Sequence, residues 1–186
     1  TLLAAHMIKT NPSATILYSA PTSHLVRDTI EQLGGKADRT QVGHSFILEQ
    51  MKTTKAVFGC EHSGHFYFGN NYGADSGLIA ALTMLHILST SNKTLSLLVK
   101  GLNSPYYSID ELNLTVKDTK AVISKIKETL SDGVQDNLDG LTIEYPDWWC
   151  NVRASNTEPV LRLNIEANSK QLLADKTKLL SAMIKT

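Results

Sequence analysis

The first half of the chain carries strand and helix signals in alternation. Residues 14–20 (ATILYSA) form a short apolar run of the length of a buried strand. The following segment, SHLVRDTIEQLGG, has helical spacing, with Thr22 or Ser23 positioned to cap it and Gly34 to end it. Further strand signals lie in KADRTQV and AVFGCE, and further helix signals in LLAAHMIK, GHSFILEQMKT and SGLIAALTMLHILS. This alternation predicts an α/β layer with parallel strands.

The second half has a different rhythm. SIDELNLTV alternates like a strand, TKAVISKIKETLS is an amphipathic helix, and GLTIEY, WWCNVRAS and PVLRLNIEA are consecutive strand signals. With a last helix signal in KQLLADKTKLLSAMI, this order predicts a smaller antiparallel α+β domain. A hinge is expected around Pro105. The sequence therefore predicts one domain over residues 1–100 and a second over residues 106–186.

The composition of the chain bears on its compartment and on the partners that it could bind. No apolar run approaches the roughly 20 residues that a membrane-spanning helix requires. Two cysteines, Cys60 and Cys150, in 186 residues fit a reducing compartment and predict a cytoplasmic protein. The 18 cationic and 18 acidic side chains give zero formal net charge, so no broad basic face predicts binding to nucleic acid or to an anionic membrane. Any bound anion must therefore be held by a local group of side chains.

The segment RASNT (residues 153–157, the RASNT loop) places a cation, two hydroxyls and a carboxamide between two strand signals. Backbone N–H groups in a tight turn form a concavity suited to an anion. Arg153 can grip two phosphate oxygens with its planar fork, and Ser155, Asn156 and Thr157 can add donors. The alternative is a polar hairpin turn with Arg153 on a solvated face. The residues alone leave both interpretations open.

A second polar group, EHSGH (residues 61–65, the EHSGH loop), follows directly after a strand signal. In open α/β sheets, ligands bind at that end of the strands. Glu61, His62 and His65 could bind a metal, although their spacing is not the helical HExxH pattern. The segment could also be a surface loop without a function. We favour a third interpretation, in which Glu61, Ser63 and His65 converge on a polyhydroxylated ligand.

Both loops and their flanks resemble a known family. VGHSFI, GCEHSGHFYF, ADSGLIAAL and DWWCNVRASNTEPVLRLNIEA, in this order, resemble the α-D-phosphohexomutases and in particular the bacterial phosphomannomutase/phosphoglucomutase enzymes. The resemblance runs through most of the chain. It implies a mixed sheet with flanking helices, the third domain of the family, followed by a smaller antiparallel α+β fourth domain. The EHSGH loop corresponds to the sugar-binding loop of that third domain, and the RASNT loop to the phosphate-binding loop of the fourth.

The resemblance also implies roles for single residues. Glu61 and Ser63 would contact sugar hydroxyls, and His65 and His44 would lie beside the reacting end of the sugar. The phosphate that is not being transferred would be held by the RASNT loop, through Arg153, Ser155, Asn156 and Thr157. Two positions depart from the family pattern, since Cys60 stands where Gly is usual and Gln41 where Lys is common.

Two loops that the family needs for catalysis do not occur in this sequence. The phosphoserine loop of the first domain has the form TASHNP, whereas PTSHL in this chain lacks the Asn-Pro. The magnesium loop of the second domain has the form DGDADR, whereas GGKADRT offers Asp38 as its single carboxylate. The resemblance therefore implies that Mg²⁺ and the catalytic serine lie outside this chain, in N-terminal domains that would be its partners.

The reaction implied by the resemblance interconverts hexose 6-phosphate and hexose 1-phosphate through a phosphoserine and a bisphosphate intermediate. The substrate would be a phosphate of mannose or glucose, and the isolated chain is expected to be inactive. Two other classes stay open from the residues. One is a non-catalytic sugar-phosphate-binding module, and the other is a metallohydrolase with Glu61 and His65 as metal ligands.

Overall fold

The chain divides into two compact units, Thr1–Ser104 and Pro105–Thr186, in a computed structural model that describes residues 1–155, 158 and 160–185. Each unit contains its own sheet and its own hydrophobic core. None of the helices in these described ranges has the length and apolar character needed to cross a membrane.

The first unit alternates strands and helices as its sequence predicts. Ser23 caps the second helix, because its Oγ accepts a hydrogen bond from Leu25 N at 3.2 Å, and Gly34 follows that helix with a φ of +80°. The elements are α1 (Leu2–Thr10), β1 (Thr15–Ser19), α2 (His24–Gln32), β2 (Lys36–Thr40), α3 (His44–Thr54), β3 (Phe58–Cys60), β4 (Phe66–Phe68), α4 (Gly77–Ser91) and α5 (Leu95–Lys100), with a 3-10 turn at Gly69–Asn71.

The sheet of the first unit has the order β2-β1-β3-β4, with β1, β2 and β3 parallel and β4 antiparallel to β3. It is therefore the mixed sheet with flanking helices that was predicted. Successive β1 residues point to opposite faces. Ile16 packs in a cluster with residues of α1, α2 and α4, and Leu17 packs with Ile47 and Met51 of α3. Helices thus cover both faces of the sheet.

The second unit is the predicted antiparallel α+β fold. The elements are β5 (Tyr107–Ser108), β6 (Leu112–Thr115), α6 (Thr119–Thr129), β7 (Val134–Asp136), β8 (Leu141–Glu144), β9 (Trp148–Ala154), β10 (Val160–Ala167) and α7 (Lys170–Lys185). The sheet has the order β5-β10-β9-β8-β7, and β6 also pairs with β10. The predicted strand SIDELNLTV corresponds to two short strands, β5 and β6, which pair with the same edge of β10.

The two faces of this second sheet differ in polarity. Cys150 and Val152 of β9 lie opposite Ile165 and Leu163 of β10, and these four side chains join the core cluster with α6 and α7. The intervening positions of the same strands are mostly polar, and they pair Trp149 with Glu166, Asn151 with Asn164, and Arg153 with Arg162. Strand alternation therefore directs the RASNT loop's arginine away from the apolar core.

Candidate functional site

The EHSGH loop turns the chain from the end of β3 into β4. Glu61 N donates to His65 O at 3.0 Å, Gly64 N donates to Glu61 O at 3.1 Å, and Gly64 has a φ of +87°, which favours glycine. The Glu61 side chain is buried, and its two oxygens are bonded separately. Oε1 accepts from Gly43 N at 3.1 Å, and Oε2 accepts from Tyr67 Oη at 2.7 Å. Glu61 therefore fixes the loop to the segment that precedes α3.

The neighbours of Glu61 in the loop face solvent. Ser63 and His65 are exposed, and Ser63 Oγ lies 2.9 Å from His65 Nδ1. His65 Nδ1 is also 3.7 Å from Glu61 Oε2. On the other side of the turn, His62 N donates to Ser19 Oγ at the end of β1, at 3.1 Å. The loop therefore offers a hydroxyl and an imidazole at the carboxyl edge of the parallel strands.

His44 lies close to the same group of residues, at the start of α3. Its ring centroid is 5.5 Å from that of Tyr67, and its Nδ1 is 3.5 Å from Asp75 Oδ1. Burial raises the pKa of Tyr67, and so does the hydrogen bond to the Glu61 carboxylate, so the hydroxyl remains a donor at neutral pH. Among the predicted sugar-site residues of this unit, His44 and Glu61 thus both contact Tyr67, His65 lies beside Glu61, and Ser63 lies beside His65.

The metal interpretation of the EHSGH loop finds no support in the described residues. Within them, no group of three His, Cys, Asp or Glu side chains is arranged to hold a metal ion. Both oxygens of Glu61 already accept hydrogen bonds from the protein. Asp38, the single carboxylate of GGKADRT, accepts a hydrogen bond from Gln50 Nε2 at 3.2 Å. Glu61 and Asp38 thus both accept hydrogen bonds from the protein itself.

Cys60, at the position where the family pattern has Gly, is a buried thiol. Its Sγ lies 3.7 Å from Leu17 O, and burial raises its pKa to about 11. The thiol is therefore neutral at physiological pH and is a poor nucleophile.

The RASNT loop connects β9 to β10 in the second unit. Arg153 lies within β9, and Ser155 closes the hairpin because its N–H donates to Val160 O at 2.9 Å. Ser155 is half-buried. Two predicted phosphate-site residues, Asn156 and Thr157, lie outside the described residues. The described part of the site is thus Arg153 and Ser155.

Arg153 is not on a solvated face, which corrects the alternative that treats this segment as a simple polar turn. The residue is 6% exposed. Its Nη2 lies 3.6 Å from Glu111 Oε2, and its Nε has no hydrogen-bond partner among the described residues. Buried polar atoms are normally paired, and an unpaired one calls for an explanation such as a ligand.

A cavity of about 490 Å³ opens beside Ser155, next to the start of α6. Lys117 and Lys120 bring two exposed cations to it, and Glu158 brings a carboxylate. The Asp118 side chain caps α6 by accepting from Ala121 N at 3.0 Å. The lining of this cavity thus carries two lysines and two carboxylates, Asp118 and Glu158, so its formal charge is balanced.

Several contacts of the site are not visible in the sequence. Nothing in the local pattern marks Tyr67 as the partner of Glu61. The alternation of a strand through FYF indicates only that Tyr67 lies on the sheet face opposite to Phe66 and Phe68. Glu111 lies 42 residues before Arg153, and no motif links the two. Arg162 and Arg153 are partners on neighbouring strands and lie on the same sheet face. Pairing the two strand signals in this register would have brought the two arginines together.

Comparison with known proteins identifies the family to which the chain belongs. An α/β unit with helices on both sheet faces and a following antiparallel α+β unit match two consecutive family models. Residues 1–106 match the model for phosphoglucomutase/phosphomannomutase, alpha/beta/alpha domain III, and residues 111–178 match the model for the C-terminal domain of the same proteins. The chain belongs to the phosphoglucomutase/phosphomannomutase family.

Individual relatives agree with this assignment. The chain is 38% identical to a phosphomannomutase of Methanocaldococcus jannaschii, over 98% of this chain and 40% of that protein. It is 33% identical to a phosphomannomutase of Escherichia coli, over 99% of this chain and 41% of that protein. A crystal structure of a phosphoglucomutase/phosphomannomutase family protein from Burkholderia thailandensis superposes with a TM-score of 0.83 at 32% identity, over 99% of this chain and 40% of that one. The chain thus spans about two fifths of the length of these relatives and corresponds to their C-terminal half.

Proposed function

We propose that this chain is the sugar- and phosphate-binding half of a phosphohexomutase that interconverts hexose 6-phosphate and hexose 1-phosphate. The observation that carries the proposal is the EHSGH loop, which is fixed at the carboxyl edge of the sheet by the buried Glu61 carboxylate. Family membership and the names of the phosphomannomutase relatives support the same reaction class.

The EHSGH loop is assigned the sugar. A carboxylate has about four lone-pair sites, so Glu61 can accept a sugar hydroxyl in addition to its two protein donors. Ser63 is exposed beside it and can exchange a hydrogen bond with a second hydroxyl. His65 and His44 are assigned to the reacting end of the sugar. These contacts are polar and directional, so they would orient the sugar.

The RASNT loop is assigned the phosphate that is not being transferred. Arg153 would supply a guanidinium, and Ser155, Asn156 and Thr157 would supply hydroxyl and amide donors. Hydrogen bonds to a charged group contribute roughly 1.5–3 kcal/mol each, so a few of them hold a phosphate firmly. Arg153 is suited to this role because its Nε is buried and unpaired in the described structure.

The proposed reaction needs groups beyond this chain. A phosphoserine in the N-terminal part would transfer its phosphate to the free hydroxyl of the bound hexose phosphate, giving a bisphosphate. After the sugar reverses its orientation, the other phosphate would return to the serine. The residues of this chain bind and orient the sugar in both positions, which is most of what phosphoryl transfer asks of a protein. Mg²⁺, implied by the family resemblance, would supply charge stabilisation and is assigned to the N-terminal part.

A cytoplasmic location is part of the proposal. Cys60 and Cys150 are both buried free thiols. A protein of a reducing compartment retains such thiols without pairing them.

Binding by the purified chain tests the proposed function. Amide signals are followed while glucose 1-phosphate, mannose 1-phosphate or inorganic phosphate is added. We expect saturable shifts near residues 153–158 with all three compounds, and shifts near residues 61–65 with the sugar phosphates alone. Arg153→Ala should remove the shifts near residues 153–158. Absence of saturable shifts at both loops would contradict the proposal, and bound metal with hydrolase activity would favour the metallohydrolase class.

A further inference from the structure

Two arginines lie directly opposite each other on neighbouring strands of the second unit. Arg153 of β9 and Arg162 of β10 are Cα partners in an antiparallel pair, and both side chains lie on the sheet face that is turned away from the apolar core. Like charges that are directly opposite destabilise a sheet. The arrangement therefore needs a group that offsets the repulsion.

Glu111, in the connection between β5 and β6, is that group. Its Oε1 lies 3.3 Å from Arg162 Nη1, and its Oε2 lies 3.6 Å from Arg153 Nη2. Oε2 also accepts a hydrogen bond from Asn164 Nδ2 at 3.0 Å, which orients the carboxylate. Each guanidinium is thus held by one oxygen of the same carboxylate.

The cluster of Glu111, Arg153 and Arg162 is largely withdrawn from solvent. The side chains are 19%, 7% and 28% exposed in that order, and both arginine Nε atoms are buried without a partner in the described part of the chain. Two cations and one carboxylate leave one formal positive charge. If Arg153 were paired with Glu111 alone, the pair would be neutral and would attract a phosphate only weakly. Because Arg162 offsets the negative charge of Glu111, the positive charge of Arg153 remains available to attract a phosphate.

We infer that Glu111 is a positioning residue of the phosphate site: it holds the Arg153 guanidinium in the orientation that receives phosphate, while Arg162 offsets its charge. This inference rests on the proposed function of the RASNT loop. Holding the guanidinium in place before binding lowers the conformational entropy that a flexible arginine loses when the phosphate arrives.

The decisive variant is Glu111→Asp in the whole 186-residue chain. It keeps the charge and shortens the side chain by one methylene, so one carboxylate can no longer reach both arginines. We expect the dissociation constants for inorganic phosphate and glucose 1-phosphate to rise by about threefold to tenfold, the effect of ordering one arginine side chain during binding. Glu128→Asp on α6 is the matched control, because Glu128 is exposed. It should leave both constants unchanged.

A double-mutant cycle separates positioning from a general loss of structure. Arg153→Lys keeps the charge but removes the planar fork. If Glu111 acts through Arg153, then Glu111→Asp added to Arg153→Lys should weaken phosphate binding by less than about 1.5-fold further. A merely structural role would instead weaken binding by the same factor in both backgrounds.

The outcomes distinguish this inference from the proposed function on which it rests. Absence of phosphate binding by the unsubstituted chain contradicts the proposed function, and the inference fails with it. Binding that is lost in Arg153→Lys but unchanged in Glu111→Asp overturns the positioning role and leaves the phosphate site intact. Additive losses in the double variant also overturn it. If Glu111→Asp does not fold, as judged from its amide spectrum, then Asn164→Ala serves in the same cycle with the same expected losses, because it removes the hydrogen bond that orients the Glu111 carboxylate and leaves its charge in place.

Discussion

Glu61 is the residue on which the shape of the EHSGH loop depends. Its carboxylate is buried and accepts hydrogen bonds from Gly43 N and Tyr67 Oη, which belong to two other segments of the first unit. A buried carboxylate that loses a donor retains the cost of its desolvation without the compensating bond. The position of the EHSGH loop therefore depends in part on Tyr67, which lies outside the loop.

We predict that Tyr67→Phe destabilises the first unit by about 1–3 kcal/mol, because it leaves Oε2 of Glu61 without its hydroxyl donor. Denaturant unfolding followed by the amide signals of residues 1–104 measures the loss. Tyr72→Phe is the control, since Tyr72 is 93% exposed. We also expect weaker shifts near residues 61–65 in the glucose 1-phosphate titration. Equal stability of Tyr67→Phe and Tyr72→Phe would show that the Glu61–Tyr67 bond contributes little.

The raised pKa values of the two buried thiols lead to a prediction of how the free energy of unfolding changes at alkaline pH. Burial raises the pKa of Cys60 to about 11 and that of Cys150 to about 12, whereas both thiols titrate near 9.0 when unfolded. A raised pKa in the folded state contributes stability that is present below the unfolded pKa and is lost as the pH rises towards the folded pKa. We expect the free energy of unfolding to fall between pH 9 and pH 11, by about 1 kcal/mol per thiol at pH 10. Denaturant titrations at several pH values measure it. Retention of the same slope in a Cys60→Ala, Cys150→Ala double variant would assign the loss to other groups.

At the scale of elements, the length of each apolar pattern determined what the sequence could predict. The long periodic helices α2 and α4 were predicted with their ends close to those observed, and Ser76 caps α4 by accepting from Ile79 N at 3.2 Å. The three-residue strands β4 and β7 were missed. The strand β3 is as short but lies in the longer apolar run AVFGC, whereas β4 and β7 lie in no such run and are fixed by pairing with β3 and β8.

From the residues alone, the site was predictable only as far as its members are neighbours in sequence, and His44 was added by the family resemblance. Glu61, Ser63 and His65 were grouped because they lie within five residues that follow a strand, and in the structure His65 Nδ1 lies 2.9 Å from Ser63 Oγ and 3.7 Å from Glu61 Oε2. Their partners Gly43 and Tyr67 come from other segments, so no local pattern reveals them. Contacts of this kind depend on tertiary packing, and the same reason hides the carboxylate between the two arginines of the second unit.

We predict that substituting two leucines of the second unit by alanine has very different effects on its stability. Leu161 of β10 is fully buried in the core, whereas Leu179 of α7 is 41% exposed. We expect Leu161→Ala to destabilise the second unit by about 2–5 kcal/mol, because it removes buried methyl groups and leaves a cavity. Leu179→Ala should change stability by less than about 1 kcal/mol. Tryptophan fluorescence reports on this unit, since both tryptophans of the chain lie in β9. Similar losses for the two variants would contradict the assignment of Leu161 to the core.

At the scale of the whole molecule, the chain matches only part of the length of its relatives, so binding and turnover need different tests. The chain covers about 40% of the Methanocaldococcus jannaschii phosphomannomutase and matches the third and C-terminal domains of the family. Binding can be measured on the chain alone, because the proposed sugar and phosphate loops are both within it. We propose that turnover also needs a serine and a metal, both assigned to the N-terminal part.

We therefore predict that the isolated chain does not interconvert mannose 6-phosphate and mannose 1-phosphate. In a chimera that replaces the matching C-terminal half of the Methanocaldococcus jannaschii relative with this chain, we expect turnover, since the two sequences are 38% identical over this half. Arg153→Ala in the active chimera should lower kcat/KM by about 10-fold to 100-fold, which corresponds to the loss of one or two charge-assisted hydrogen bonds to phosphate. Glu128→Ala is the control and should retain full activity, because Glu128 is exposed on α6. Turnover by the isolated chain would show that a catalytic group lies within it, and an unchanged kcat/KM in Arg153→Ala would remove that arginine from the phosphate site.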